Sequence, residues 1–478
     1  MTNMTEYKGQ LETTDFDIEV LNTVFSRMTM NTWKKIMSLF SFEDLIVHKR
    51  GKKIIKNQVV RHFYAKKENG FVFIYTGHLK RIVESFPNLI IKHNKATYYR
   101  LNESQIVYGN PELFGIEPRK WQLDGLEAVS SYGRGVIVAP TGTGKSGLVS
   151  CIVSRYRNYN ILICANTIDL VDQMTQNIAN YCRIEPKIMD GNRKPDWQEF
   201  EDTSGNVLIT TIQSFKKQIL IDYSFLFDVV IIDECHRVNE INSLYGEALS
   251  QMIAPIRVGV TATLPTATKE MLCLEGLIGP VIYELTKDEA ETRQMIVRPR
   301  LKLHKLPYNQ KINDFRTFRE VVDFGISRNF NLNLKITEII KEAVKRDQNI
   351  LVFVHLLQHG DYIKALCERD NIVVDYIHGG VVGDDRNRIK QKIENQTGCA
   401  VIATTVWKEG INIPSLQHIV LGGGWKSQNP VLQAIGRGLR THNNKEFVTI
   451  HDFFDPSHHY LISHFGERLS LYFEMEWI

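Results

Sequence analysis

Long apolar runs are missing from this sequence. Its most hydrophobic stretches, such as VVII from Val229 to Ile232, are strand-length and far short of a membrane span. Paired cysteines are missing too. The seven, at 151, 164, 182, 235, 273, 367 and 399, are widely spaced and form no CxxC, which excludes a disulfide framework and reads as reduced core thiols. There is no internal repeat at a solenoid period and no low-complexity tract. The first residues, MTNMTEYKGQLETTDFD, are polar and acidic with no apolar centre, so no secretory leader is expected and the chain is read as cytoplasmic.

What is present is a globular composition, 43% hydrophobic and 23% charged, in 478 residues. That length predicts two or three domains. The net charge is only +4, but residues 1–115 carry 17 Lys and Arg against 11 Asp and Glu. Between Lys49 and Lys67 stand eight basic residues and no acid, with Phe63 and Tyr64 among them. Basic residues near aromatics can track a nucleic-acid backbone; a solvated basic face is the other reading.

The pattern along the chain predicts three domains: an α+β module at 1–100, an α/β domain at 115–300 and a second α/β domain at 301–478. In the first, Met30, Trp33, Met37 and Phe40 make one stripe of a helix. RHFYAKKENGFVFIYTG reads as two strands about a Glu-Asn-Gly turn, HLKRIVESF as a helix and NLIIK as a closing strand. The polar stretch from about His93 to Pro118 is the expected linker. Then GVIVA, ILICA, VLITT, VVIID and RVGVTA alternate with helical segments, and NILVFV, IVVDYI, AVIATT, HIVLGG and FVTIHDF repeat the pattern over about residues 330–455. Such alternation predicts two tandem parallel sheets, each covered on both faces.

Two short sequences carry the chemistry. GVIVAPTGTGKSGLVSCIV is strand, glycine-rich turn, then helix. Gly142 and Gly144, flanked by Thr141 and Thr143, let backbone N–H groups approach phosphate oxygens, and the helix N-terminus adds a favourable dipole. Lys145 is expected on the β- and γ-phosphates of ATP and Ser146 on Mg²⁺. Ala139 stands where the strict pattern has glycine. VVIIDECH, 88 residues after Lys145, supplies Asp233 for the metal shell and Glu234 to orient or deprotonate the attacking water. A structural strand-end cap is the bland alternative for the acid pair. His236 either couples this site to its neighbours or is merely structural.

With these motifs in order, residues 115–455 resemble the superfamily 2 helicases and translocases. PRKWQ is similar to their adenine-sensing motif, ANTIDLVDQM, TTIQSF and TAT to their lobe-one motifs, and LVFVHLLQH, HGG, TTVWKEGIN and QAIGRGLR to those of lobe two. The resemblance implies two RecA-like lobes with ATP between them. It places Arg119 and Gln122 at the nucleotide, with Gln122 on the base, and Gly410 and Gln433 close by. Arg437 and Arg440 would stabilise transition-state charge. Asn412 stands where the family has aspartate, so its role as a nucleotide contact lacks the usual charge. Thr167, Thr211, Gln213, Gly379, Thr404 and Thr405 would touch the phosphates of the tracking strand, contacts blind to base sequence. Each threonine could instead be a strand-end cap.

The spelling DECH, VTATLP and GRGLR is closer to DNA translocases of the recombination and restriction type than to RNA helicases. The N-terminal module resembles the auxiliary domain of the UvsW-type recombination helicases of tailed phages, which implies a monomeric motor on branched DNA in the host cytoplasm. Lys49, Arg50, Lys52 and Lys53 would then grip duplex DNA. Two other classes stay open: a motor subunit of a restriction or defence complex, and an ATP-switched RNA or DNA binder. Phe215, Trp407 and Trp425 are aromatic candidates for a strand-separating wedge, or else core.

Overall fold

A computed structural model describes residues 17–50, 53–93, 106–215, 222–381, 383–404, 413, 415–424, 435, 445–475 and 477–478. The chain falls into two compact units, Met1–Ala139 with Gly144–Leu285, and Thr286–Ile478 with Pro140–Thr143.

The N-terminal domain is built on strands β1 (Ile18–Val20), β2 (Phe25–Thr29), β5 (Lys66–Glu68), β6 (Phe71–Tyr75) and β7 (Ile91–His93), in the order β5-β6-β2-β1-β7. The expected Glu-Asn-Gly hairpin is β5–β6. Asn69 and Gly70 sit at φ 49° and 81°, the left-handed pair that a two-residue turn between twisted strands needs. The expected helix splits into α1 (Met30–Ile36) and a 3₁₀ turn at Met37–Phe40, with Trp33, Ile36 and Phe40 buried. A second helix, α2 (Leu79–Ser85), follows as expected.

Sequence reading missed one large element. Strands β3 (Ser41–Arg50) and β4 (Lys53–His62) form a separate two-stranded antiparallel sheet, paired from Ser41–His62 to Arg50–Lys53. Its sequences, SFEDLIVHKR and KIIKNQVVRH, mix charged residues with apolar pairs and show no clean alternation. The basic stretch from Lys49 therefore occupies the far end and returning strand of a hairpin.

The module is packed firmly on the domain that follows, and their buried apolar residues form one cluster that includes Phe40, Tyr75, Ile82, Val136, Leu274 and Leu277. The contact centres on the helix Thr268–Leu277. His78, wholly buried, shares a hydrogen bond through Nε2 with Leu272 O at 2.8 Å. Arg81 Nε donates to both oxygens of buried Glu275 at 2.9 and 3.1 Å. Arg134 Nη1 donates to Thr23 O at 2.5 Å. A Cβ on Gly77 would lie 2.0 Å from Glu275 O, so only glycine permits this approach.

That following domain holds a seven-stranded sheet, β10-β11-β9-β12-β13-β8-β14, all parallel. The five expected strands are β8 (Arg134–Val138), β9 (Ile161–Ala165), β11 (Val207–Thr211), β12 (Val229–Asp233) and β13 (Ile256–Thr261). Short β10 (Lys187–Met189) and β14 (Val281–Glu284) close the edges. The last domain has a six-stranded parallel sheet, β15-β20-β19-β16-β18-β17. Its expected strands are β16 (Asn349–Phe353), β17 (Asp375–Ile377), β18 (Ala400–Ala403), β19 (Leu416–Leu421) and β20 (Phe447–Phe454). Strand β15 (Arg298–Lys305) adds an edge that sequence reading did not expect, because RPRLKLHK carries the charge typical of an edge. Across β15, β20 and β19 runs an unforeseen hydrogen-bonded chain, His304–His451–His418–Gln348, with links of 3.0, 3.0 and 2.9 Å. All seven cysteines are buried and free, and no described helix is long and apolar enough to cross a membrane.

Burial lowers His78 to about 4, so the folded state holds it neutral while the unfolded chain titrates near 6.5. The unfolded state binds more protons between those values, so stability rises with pH there. Docking of the module is expected to be at full strength above pH 6.5 and to lose on the order of 3 kcal/mol as pH falls towards 4. Thermal unfolding across that window should show a slope that His78→Gln flattens; an unchanged slope in the variant would contradict the assignment.

Candidate active site

Strand β8 is buried almost throughout and delivers its chain into the glycine-rich loop. Gly142 (φ 93°) and Gly144 (φ 96°) adopt the left-handed conformation, Gly144 as the N-cap of α4 (Lys145–Arg155). A side chain at either position would strain the loop. Thr143 Oγ1 donates to Pro140 O at 2.8 Å, which closes the turn, and Lys145 Nζ donates to Ala139 O at 3.2 Å, which curls the amine over it. The start of the loop is tied sideways, Ala139 N–H donating to Thr261 O at 2.9 Å.

The order β12-β13-β8 brings three motifs side by side at the C-terminal ends of their strands. Asp233 ends β12, 8% exposed. Glu234 follows in a left-handed conformation at φ 51°, unusual for a residue with a side chain and a mark of local strain. Burial and then the neighbouring Glu234 charge push Asp233 up to about 7, against the pull of Lys145. Burial acts on Glu234 as well, but the hydrogen bond from His236 and the Lys145 charge outweigh it and hold Glu234 below the usual range. His236 Nδ1 lies 3.3 Å from Glu234 Oε2 and 3.0 Å from Thr261 Oγ1. Thr261 Oγ1 in turn donates to Thr263 O at 2.8 Å. His236 thus joins the acid pair to TAT, a link for which sequence held only the residue type.

Gln122, expected on the nucleotide base, also serves the phosphate loop. It is 5% exposed, and both ends of its amide serve the protein: Nε2 donates to Gly144 O at 2.8 Å and Oε1 accepts from Arg119 N–H at 2.7 Å. Here it braces the phosphate loop against α3 (Lys120–Tyr132). Sequence reading missed Gly147, where a Cβ would meet Gln122 Nε2 at 2.5 Å. Arg119, at the N-cap of α3, is exposed.

The donor set fits ATP with Mg²⁺. Ser146 and Asp233 offer the oxygen donors that Mg²⁺ prefers, and the elevated Asp233 marks a carboxylate that gains from a nearby cation. Arg437, Arg440, Gly410, Asn412, Gln433 and Thr405 lie outside the described residues, as do Lys52, Trp407 and Trp425.

Two family models match the chain. Residues 115–266 match the type III restriction enzyme res subunit, and 333–442 match the helicase conserved C-terminal domain, together more than half of its length. The chain belongs to the superfamily 2 helicases. It is an ATP-hydrolysing helicase. It is 27% identical over 376 residues to the ATP-dependent DNA helicase uvsW of Enterobacteria phage T4, spanning 75% of this chain and 72% of that protein. It is 24% identical over 375 residues to the DNA 3'-5' translocase XPB2 of Sulfurisphaera tokodaii, spanning 70% and 81%. The DNA-bound type ISP restriction-modification enzyme LlaBIII shares the fold, with a TM-score of 0.55 at 17% identity over 78% of this chain and 30% of that one.

The helicase's candidate track contacts divide by exposure. Gln213, in a 3₁₀ turn after β11, and Gly379, in a turn after β17, are exposed. Thr167 is the N-cap of α5 (Ile168–Cys182), its Oγ1 accepting from Leu170 N–H at 3.4 Å. Thr211 and Thr404 are 7% and 5% exposed; Thr211 Oγ1 pairs with Ser214 Oγ at 2.9 Å, and Thr404 directly follows β18. Lys49, Arg50 and Lys53 lie at the far end of the β3–β4 hairpin. Phe215 is core, 4% exposed against Phe227, so the wedge reading does not hold for it.

Removing His236 takes away the hydrogen bond that holds Glu234 low. In His236→Ala the acidic limb of the ATPase pH profile should move to higher pH, with Asn a closer mimic than Ala; identical limbs in both variants would leave His236 without a role. Gly147→Ala should displace Gln122 and raise the KM for ATP several-fold while the fold persists, as a titration of ATPase rate against ATP will show.

Proposed function

We propose that this helicase is a monomeric ATP-driven DNA motor that remodels branched DNA, by fork regression, Holliday-junction branch migration and D-loop unwinding. The observation that carries the reading is a basic-ended β-hairpin on an accessory domain locked to the ATP-site domain. A basic hairpin held at fixed distance from a motor can meet duplex DNA while the motor pulls a strand. The DNA helicase and DNA translocase names of the two relatives support DNA as the track.

In this reading the N–H groups of residues 142–146 cradle the ATP phosphates, and Lys145 neutralises their developing charge. Mg²⁺ held through Ser146 and Asp233 would supply further charge neutralisation at the transferring phosphoryl group. Glu234, ionised by His236 and Lys145, orients the attacking water and accepts its proton. Arg437 and Arg440 are proposed as the arginines that stabilise the transition state. His236 relays the state of the site to TAT, and the lobes' grip on DNA alternates.

The match of residues 115–266 to a restriction res subunit favours one second reading, a motor subunit of a restriction complex. A panel of single strand, duplex, fork, Holliday junction and RNA, each scored for ATPase stimulation and unwinding, tests both. Branched DNA should stimulate most and be unwound by the isolated chain. Equal response to plain duplex with no unwinding supports the restriction motor, and preference for RNA removes both readings. Lys145→Ala should lower hydrolysis by at least ~100-fold on every substrate.

A further inference from the structure

We propose that the N-terminal domain binds one unpaired nucleobase of a single strand in a pocket between α1 and the base of the β3–β4 hairpin. This rests on the reading of the chain as a nucleic-acid motor but concerns a site separate from its motifs.

The pocket has a volume of about 650 Å³, within the range of small-ligand sites. It is lined by Trp33, Phe42 and Tyr64 together with Lys34, Arg61 and Lys67. Tyr64 is 39% exposed and presents a large aromatic surface at the pocket. Its ring meets Trp33 edge-on, with centroids 5.8 Å apart and planes at 75°. Trp33 is 2% exposed and stacked on Phe40, so Tyr64 stands on a fixed base. Lys67 Nζ sits 4.7 Å from the Tyr64 centroid. Arg61 pairs with Asp44 at 3.2 Å, but the two side chains are 52% and 36% exposed, so a phosphate can displace the carboxylate at little cost.

An aromatic surface with three nearby cations, one of them the mobile Lys67 amine that a stacking base would move onto a phosphate, matches a base with its flanking phosphates. Base–aromatic stacking tolerates any sequence, as a motor requires, and the cations follow the backbone. An unpaired base appears wherever a duplex is opened, and the pocket lies where the hairpin leaves the domain.

The test uses the full chain and a single-stranded oligonucleotide containing 5-iodouracil, irradiated and mapped by mass spectrometry, with ATPase stimulation by the same oligonucleotide measured in parallel. A crosslink on the peptide containing Tyr64 is expected. Tyr64→Leu should abolish it while crosslinks elsewhere persist, which also shows that the variant is folded. Lys34→Glu, an exposed change, should reduce its yield several-fold. Stimulated ATPase with crosslinks confined to residues 115–455 overturns the pocket and leaves the motor reading standing. No stimulation and no crosslink overturn both.

Discussion

Two adjacent carboxylates sunk at the end of one strand, beside a single lysine, are the constraint on which the catalytic domain depends. Burial disfavours both charges, and the Glu234 charge further raises the cost of ionising Asp233. The domain resolves this unequally. His236 and Lys145 keep Glu234 ionised, while Asp233 is left elevated at about 7 and ready for a cation. The left-handed backbone at Glu234 separates the two side chains into these environments. Such strain persists only where the surroundings over-determine it, and here the surroundings are β13, the phosphate loop and His236.

The same end of the sheet explains why three motifs far apart in sequence act as one. Parallel neighbours β12, β13 and β8 place their C-terminal ends together, where open α/β sheets bind ligands. The tie from Ala139 to Thr261 and the one from His236 to Thr261 make TAT the joint between phosphate loop and acid pair. Five residues beyond TAT begins the helix Thr268–Leu277, on which the N-terminal domain is seated through His78 and Arg81. Accessory domain and catalytic end are therefore built on consecutive pieces of chain. Gly77 and Gly276 allow the contact, since a Cβ on either would strike the opposing surface.

Much of this was legible beforehand because its signals are local. A glycine-rich turn between a buried strand and a helix needs Gly142 and Gly144 whatever surrounds it, and five apolar runs identified five core strands of the first sheet. Elements were missed where charge masks periodicity: β3, β4 and edge strand β15 carry Lys, Arg and Glu among their apolar residues, so no clean alternation shows. The bracing role of Gln122 was illegible for a different reason. Its residue type is as suited to bracing Gly144 as to reading a base, and only its neighbours distinguish the two.

The sequence by itself determined the chemistry available: a phosphate loop, an acid pair, TAT and a basic accessory module, in the order of a helicase. These are properties of residue type and short-range spacing, which local backbone geometry makes obligatory. Tertiary structure alone decided who serves whom. It turned Gln122 inward, set His236 between Glu234 and Thr261, gathered Trp33 and Tyr64 beside Lys34 and Arg61, and chose the surface on which the module docks. Those outcomes depend on contacts between residues distant in sequence, whose energies are set by burial and close approach rather than by pattern.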